Sequence, residues 1–418
     1  MQKILSSLFS KKKFTLKSEG TSMMPVLFPD DILYFKKTRS KNLKVNDIIL
    51  AKNKKLFVHR LIYKSSKFAV TKGDNNFTSD GKVKYKDVAA KLISIKRGNK
   101  IINPENIYLI QSSFYFREIV KIKNALYSNN IDFLFLKGLP LHLYKEKKQP
   151  GRIYADCDIL IRKEDFSKVS EILKKNGFNY HESSYSLIHK LLKNKPTEFA
   201  FVKQIQNFPV VFDVHAEANF LLNQIGKLDI LYSQKLLDRL TLKFMKEKKE
   251  AIVDGEKFPL LSDNNLIIYL SLHFFHHNFR GAFRLDLIDK IINKNKKINW
   301  RELTEKIIEF KLQNYIYTVF LLLKKYYKTE IDRKFLVQIT PSYRNLNFII
   351  RELLKVNIFD EQSNFESGIK RFKYIFYLSG GNKILKYLIF FYPSVIYSIT
   401  WVMLKSLKDK TARIMQLR

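Results

Sequence analysis

The sequence predicts a multidomain chain: an all-β N-terminal unit, an α/β unit after it, and a mostly helical C-terminal region. Three observations lead there. A length of 418 residues with 46% hydrophobic residues supports two or three domains with real cores. Residues 15–97 hold short β-rich runs separated by Lys/Asn/Gly/Asp turns, with no long helical period. From Ile107 strand-like and helix-like stretches alternate, and beyond Leu260 nearly everything has the helical period. The expected division is 1–98, a linker at 99–106, 107–260 and 261–418.

Each element has its own signal. The β runs are Asp31–Lys36, Asp47–Ala51, Leu56–Tyr63, Phe68–Lys72 and Val88–Ile95. Arg97-Gly98-Asn99-Lys100, with Pro104 close behind, reads as the linker. A helix of about 20 residues starts at Ile107. The apolar strand Ile131–Leu136, a helix over Leu139–Lys148 and the strand Cys157–Ile161 come next. A helix over Lys163–Asn176 then stops at Gly177, a usual C-cap residue. Phe199–Lys203 and Val210–His215 are two further strands. No internal repeat is visible. Tyr387–Leu404 is an 18-residue run without a charge, flanked by lysines. Its length suits a membrane span, but Pro393 and two serines favour a buried or interfacial helix. The short apolar run Ile4–Phe9 is too short to span, and the lysines that follow it are on the wrong side for a secretory signal.

The formal net charge is +37, from 76 Lys+Arg against 39 Asp+Glu. Such a balance attracts an anionic membrane surface, an acidic partner or nucleic acid. The lysines are spread along the whole chain, accompanied by abundant Asn, Ile, Phe and Tyr, as AT-rich coding produces. Nucleic acid is therefore not favoured as a partner. Cys157 is the only cysteine, which excludes an internal disulfide and a cysteine-based metal site and fits a reducing compartment.

The first candidate site lies in the β unit. A serine hydroxyl becomes a nucleophile when an imidazole takes its proton, and the imidazole needs a carboxylate to fix its tautomer. Ser22, His59 and either Asp80 or Asp74 supply those groups. The segments around them are Gly20-Thr21-Ser22-Met23-Met24-Pro25, Asp30-Asp31, Asn46-Asp47-Ile48, Phe57-Val58-His59-Arg60 and Thr71-Lys72-Gly73-Asp74-Asn75-Asn76 through Asp80. In this order they resemble the signal peptidase family, and within it the endoplasmic-reticulum-like branch that uses Ser and His. The resemblance implies Ser22 as nucleophile, His59 as general base, Asp80 as third member and Asp74 as a supporting carboxylate, with no cofactor. Gly20 departs from the family, which often has a serine there that helps to form the oxyanion hole.

The second candidate site lies in the α/β unit, in Phe135-Leu136-Lys137-Gly138-Leu139-Pro140-Leu141, Arg152, Asp156-Cys157-Asp158-Ile159-Leu160-Ile161 and Phe212-Asp213-Val214-His215. Carboxylates at i and i+2 of a strand share a face, and a third from a nearby strand completes a cluster for two Mg²⁺ ions. The apolar neighbours Ile159, Leu160 and Ile161 bury that strand, so unpaired acids there would be costly without a cation. The pattern, with His273, His276, His277, Arg284, Asp286, Asp289 and Tyr392-Pro393-Ser394 after it, resembles an uncharacterised nucleotidyltransferase family. The resemblance implies a nucleotidyltransferase fold. Asp156, Asp158 and Asp213 would hold Mg²⁺, while Lys137, Gly138 and Arg152 would bind a nucleoside triphosphate such as ATP. The usual Gly-Ser pair of that fold is replaced here by Lys137-Gly138. The histidines at 273, 276 and 277 lack a carboxylate at zinc-hydrolase spacing and are expected to be a packed, hydrogen-bonded cluster.

Both sites are expected on one side of any membrane, because nothing between Ser22 and Asp213 is apolar enough to cross one. A nucleotide-using site would make that side the cytoplasm or the inner face of the membrane. The leading expectation is a serine endopeptidase for a signal, leader or propeptide, fused to an Mg²⁺-dependent nucleotidyltransferase. The other is a nucleotidyltransferase whose β unit docks a peptide without cutting it.

Overall fold

The computed structural model describes residues 12–400 apart from 54, 77–78, 148–149, 151–152, 155, 182–196, 207, 219–230, 295–297, 360–363, 381–382, 389–390, 394 and 397–399. Arg152 falls outside the described residues, as does most of the apolar run 387–404. Among the described residues, no helix is long and apolar enough to cross a membrane.

The N-terminal unit is an antiparallel eight-stranded sheet. Its strands are β1 (Lys13–Lys17), β2 (Ile32–Lys36), β3 (Ile48–Asn53), β4 (Lys55–Lys64), β5 (Phe68–Lys72), β6 (Lys82–Lys84), β7 (Val88–Arg97) and β8 (Lys100–Ile102). The order is β1-β2-β7-β3-β4-β5-β6, with β8 added to β7. One core packs Val26, Leu27, Phe35, Ile48, Ala90 and Ile95, and a smaller one packs Ile49, Leu61, Ala69 and Val83. Residues expected as a linker instead continue this sheet: β7 turns at Gly98 (φ 57°) into β8, and Arg97 pairs with Lys100. Asn103 then caps the next helix by accepting from Glu105 N–H, with Pro104 in the first turn.

That helix, α1 (Pro104–Ser128), packs on a seven-stranded sheet of order β11-β12-β13-β10-β9-β15-β14. The strands are β9 (Phe133–Lys137), β10 (Asp156–Ile161), β11 (Asn179–His181), β12 (Glu198–Ile205), β13 (Phe208–His215), β14 (Lys249–Val253) and β15 (Glu256–Leu260). Strand β10 runs parallel to β13 and antiparallel to β9, while β15 is parallel to β9. The apolar Ile159, Leu160 and Ile161 are fully buried, as a central strand covered on both faces requires. The helices α2 (Leu139–Glu146), α3 (Phe166–Lys175) and α4 (Gln234–Lys246) belong to this unit.

The C-terminal region is helical, as the period predicts. Its first helices are α5 (Asp263–His276), α6 (Ala282–Lys294), α7 (Trp300–Glu309) and α8 (Gln313–Tyr327). Helix α5 is apolar on nearly every side, from Leu266 to Phe275, because it is the hub against which α6, α7 and α8 pack.

Candidate active sites

The acidic site is built by strand register. Across β9, β10 and β13, Lys137 lies opposite Asp158 and Asp158 lies beside Asp213. Asp156, two residues before Asp158 on β10, shares its face. Among the described residues, Asp156, Asp158 and Asp213 alone bring three His, Cys, Asp or Glu ligand atoms into metal-holding geometry, all within 4.8 Å of one another. The donors are oxygens only, which suits a hard divalent cation such as Mg²⁺. Lys137 Nζ is 2.6 Å from Asp158 Oδ2 and 3.1 Å from Asp156 Oδ2. His215 Nε2 is 3.1 Å from Asp158 Oδ1.

The two inner acids end in opposite states. Burial raises both, but the charges and hydrogen bonds of Lys137 and His215 overcome it at Asp158 and hold that carboxyl far below the usual range. Asp213 is pushed up to about 7, first by burial and then by the Asp158 charge, against His215. Cys157 points away into the core, where burial and the neighbouring acids push its thiol well up and leave it unreactive. Gly138, which opens α2, has φ 103°, and a Cβ there would lie 3.1 Å from the Asp156 carbonyl oxygen. A glycine is thus required by backbone approach to β10, independently of any phosphate.

The second site joins three parts of the β unit. His59 sits on β4, its ring tilted against that of Phe57 at 5.0 Å, and is only 7% exposed. Its Nδ1 is 2.7 Å from Asp80 Oδ2 and its Nε2 is 2.9 Å from Ser22 Oγ. The Asp80 carboxylate accepts from Thr71 Oγ1–H at 2.8 Å and from His59 Nδ1–H, which leaves the Nε2 lone pair facing the serine hydroxyl. Asp80 N–H donates to the Thr71 carbonyl at 2.8 Å and fixes the carboxylate's place. Ser22 heads a tight turn anchored by buried Met23, Val26 and Leu27. Asn75 N–H donates to the Ser22 carbonyl at 2.8 Å. Gly73 allows that contact: a Cβ there would stand 2.5 Å from the same oxygen.

Asp74 is turned away from His59. It forms a bidentate pair with Arg60, at 2.6 Å to both Nε and Nη2. Of the two acids left open by the sequence, Asp80 is the one that meets the imidazole. Asp31 pairs bidentately with Arg97, and Arg97 also donates to the Val26 carbonyl, which ties down the Ser22 turn.

Comparison with known families bears on the first of these sites. The family model described as "Uncharacterised nucleotidyltransferase" matches residues 108–328, more than half of the chain. The chain belongs to this nucleotidyltransferase family. No curated protein matches. Solved structures similar to this chain include a solution structure of the antibiotic-resistance factor ANT(2'')-Ia, at 11% identity and TM-score 0.30, covering 53% of this chain and 100% of that one. A crystal structure of ANT(2'')-Ia in complex with adenylyl-2''-tobramycin is similar at 12% identity and TM-score 0.29, covering 47% and 97%. A nucleotidyltransferase-like protein from Paracoccidioides brasiliensis is similar at 14% identity and TM-score 0.30, covering 54% and 94%. The family assignment rests on the sequence match alone. That match begins at 108 and leaves the β unit outside it, so the expected signal-peptidase identity of residues 1–98 finds no support in these comparisons.

In this nucleotidyltransferase family member the acidic cluster and the matched segment coincide. Sequence reasoning missed His215 as a partner of Asp158, although Asp213-Val214-His215 places it two residues from an expected ligand on the same strand face. It also missed Arg97 and the Arg60–Tyr108 contact, for which no local pattern exists. The histidines are packed as expected: the rings of His273 and His277 are 4.9 Å apart, and those of His276 and His277 are 5.3 Å apart. Burial and nearby cations, Lys137 and Arg284 among them, push His273 well down, and burial with Arg284 does the same to His277. Asp286 pairs with Lys290, and Asp289 accepts from Thr329, so neither belongs to the acidic cluster.

Proposed function

We propose that the chain is an Mg²⁺-dependent nucleotidyltransferase using a nucleoside triphosphate such as ATP. The observation that carries this is the convergence of Asp156, Asp158 and Asp213 inside the matched segment. Those carboxylates would hold Mg²⁺, which, when bound, supplies the positive charge that phosphoryl chemistry needs. In the transfer, an acceptor oxygen forms a bond to the α-phosphorus, the bond from that phosphorus to the β-bridging oxygen breaks, and pyrophosphate leaves. Lys137, beside Asp156 and Asp158, would receive phosphate oxygens. Expected for Asp156→Asn is a loss of at least about a hundredfold in nucleotidyl transfer, read as radiolabel moved from α-labelled NTP to acceptor. Unchanged transfer by this variant would refute the assignment.

A second activity is favoured by one specific observation, the Asp80–His59–Ser22 relay at 2.7 and 2.9 Å. In this reading the β unit is a serine endopeptidase for a peptide leader or propeptide. Ser22 Oγ attacks the carbonyl carbon, His59 Nε2 takes its proton and returns it to the leaving amine, and Asp80 steadies the imidazolium. A peptide library digested by the full chain should yield cleavage that drops about a thousandfold or more in Ser22→Ala. Peptide binding with no Ser22-dependent cleavage would instead make the β unit a docking module for the transferase.

A further inference from the structure

Lys137 occupies a place in the acidic cluster that strand register assigns to it. It is cross-strand neighbour to Asp158 on β9 and β10, and Asp158 is neighbour to Asp213 on β10 and β13. Side chains in such a row share one face of the sheet, whatever ion the site holds. The ammonium therefore arrives between Asp156 and Asp158, at 3.1 and 2.6 Å. Asp158 is the innermost acid, with a side chain 3% exposed, and both its oxygens are engaged, one by Lys137 and the other by His215. Withdrawing Lys137 would strand that carboxylate with one partner in a desolvated position, which is strongly unfavourable. Asp156 is different: its side chain is 49% exposed and turns toward solvent beside Asp213.

A site that works with two ions sets them roughly 3.5–4 Å apart, sharing carboxylates. An ammonium held by two of the three aspartates leaves little room for that arrangement. It already supplies positive charge: it donates a hydrogen bond to Asp156 and stands in ion-pair contact with Asp158. The Lys137 side chain is 19% exposed, so a phosphate oxygen can reach the ammonium from solvent.

We propose that Lys137 is the second cation of the transferase site, so that the chain takes a single divalent ion, on Asp156 and Asp213 with Asp158 behind them. This rests on the transferase reading. Lys137 then has two jobs, neutralising Asp158 and binding the phosphates, and a one-ion site is the consequence.

The test counts ions in the full chain. Mn²⁺ is titrated with and without α,β-methylene-ATP, and bound ions per chain and Mn–Mn coupling are read by electron paramagnetic resonance. One uncoupled ion per chain is expected in the wild type and in Lys137→Arg, and a second, coupled ion in Lys137→Ala with unchanged circular dichroism. Two coupled ions in the wild type would overturn the lysine assignment and leave the transferase reading standing. No bound ion in the wild type, or binding unaltered by Asp156→Asn, would sink both. Should Lys137→Ala not fold, the wild-type count decides alone.

Discussion

Asp158 and Asp213 are side by side on parallel strands, yet they end with opposite ionisation. Asp158 has a lysine and a histidine on its oxygens; Asp213 has burial and a negative neighbour. A stability effect follows. With Asp213 raised to about 7, the folded protein holds a proton between pH 4 and 7 that the unfolded chain has released. Asp213 by itself therefore lowers the folding stability of the metal-free protein as pH rises through that window, against His273 and His277, whose lowered values favour folding as pH rises toward the ordinary imidazole range. Thermal melts from pH 5 to 8 in chelator should give wild type and Asp213→Asn different slopes, the variant losing the falling contribution. A slope unaltered by that substitution would contradict the assignment. Divalent ion should stabilise most above pH 7, where Asp213 is ionised.

At the scale of elements, β4 and α1 carry the connection between the two sites. Arg60 follows His59 on β4, donates to Asp74 and the Asn46 carbonyl, and meets Tyr108 of α1 through a 2.8 Å hydrogen bond and a ring contact at 4.6 Å. One face of α1 then continues inward. Gln111 donates to the Tyr154 carbonyl just ahead of β10, and Tyr115 donates to the Val211 carbonyl on β13. Both strands carry acids of the cluster. Positions 108, 111 and 115 are three and four apart, the spacing of one helix face. Removing a buried ion-pair partner costs about 3–5 kcal/mol because it leaves the other charge uncompensated. Arg60→Ala should show such a loss in urea unfolding, with the Asp74 side chain only 10% exposed. The double variant with Asp74→Ala should lose less than the sum of the two single changes. Additive losses would mean that the pair is not coupled.

Much at this scale was legible beforehand. Strands β2, β3, β4, β5 and β7 carry alternating apolar residues and were read within two residues of their ends. Strands β1, β6 and β8 escaped because they are short, lysine-rich and half exposed, so pairing and not burial defines them. The hairpin β14–β15 was missed although Asp254-Gly255 is a turn signal, since each of its short strands opens on a Lys/Glu pair and neither keeps a clear apolar alternation.

For the whole molecule, the units are packed against one another. Tyr63 on β4 and Phe68 on β5 meet Phe359 at 4.8 and 4.9 Å, and Tyr63 also reaches Tyr327 of α8 at 6.2 Å. Lys82 lies over the Phe68 and Phe359 rings. Ile107 and Tyr108 of α1 belong to the core of the β sheet. Phe359 is 5% exposed, and truncating such a ring costs about 3–5 kcal/mol. Phe359→Ala should lower the urea midpoint accordingly and split a single transition of the wild type into two. A wild type that already unfolds in two steps would contradict this packing.

The sequence by itself determined the order of units, the residue types at both sites and the helical character of the C-terminal region. These are local properties: periodicity, turn residues and short blocks of motif. Tertiary structure decided which of two acids serves His59, that Lys137 enters the acidic cluster, that His215 braces Asp158, and that the expected linker is strand and helix. Each of these depends on register or on contacts between segments far apart in the chain, such as His59 with Asp80 or Arg60 with Tyr108. Pairwise distance across a fold is not written in local composition; it is set when strands align and side chains of opposite charge are forced out of water together.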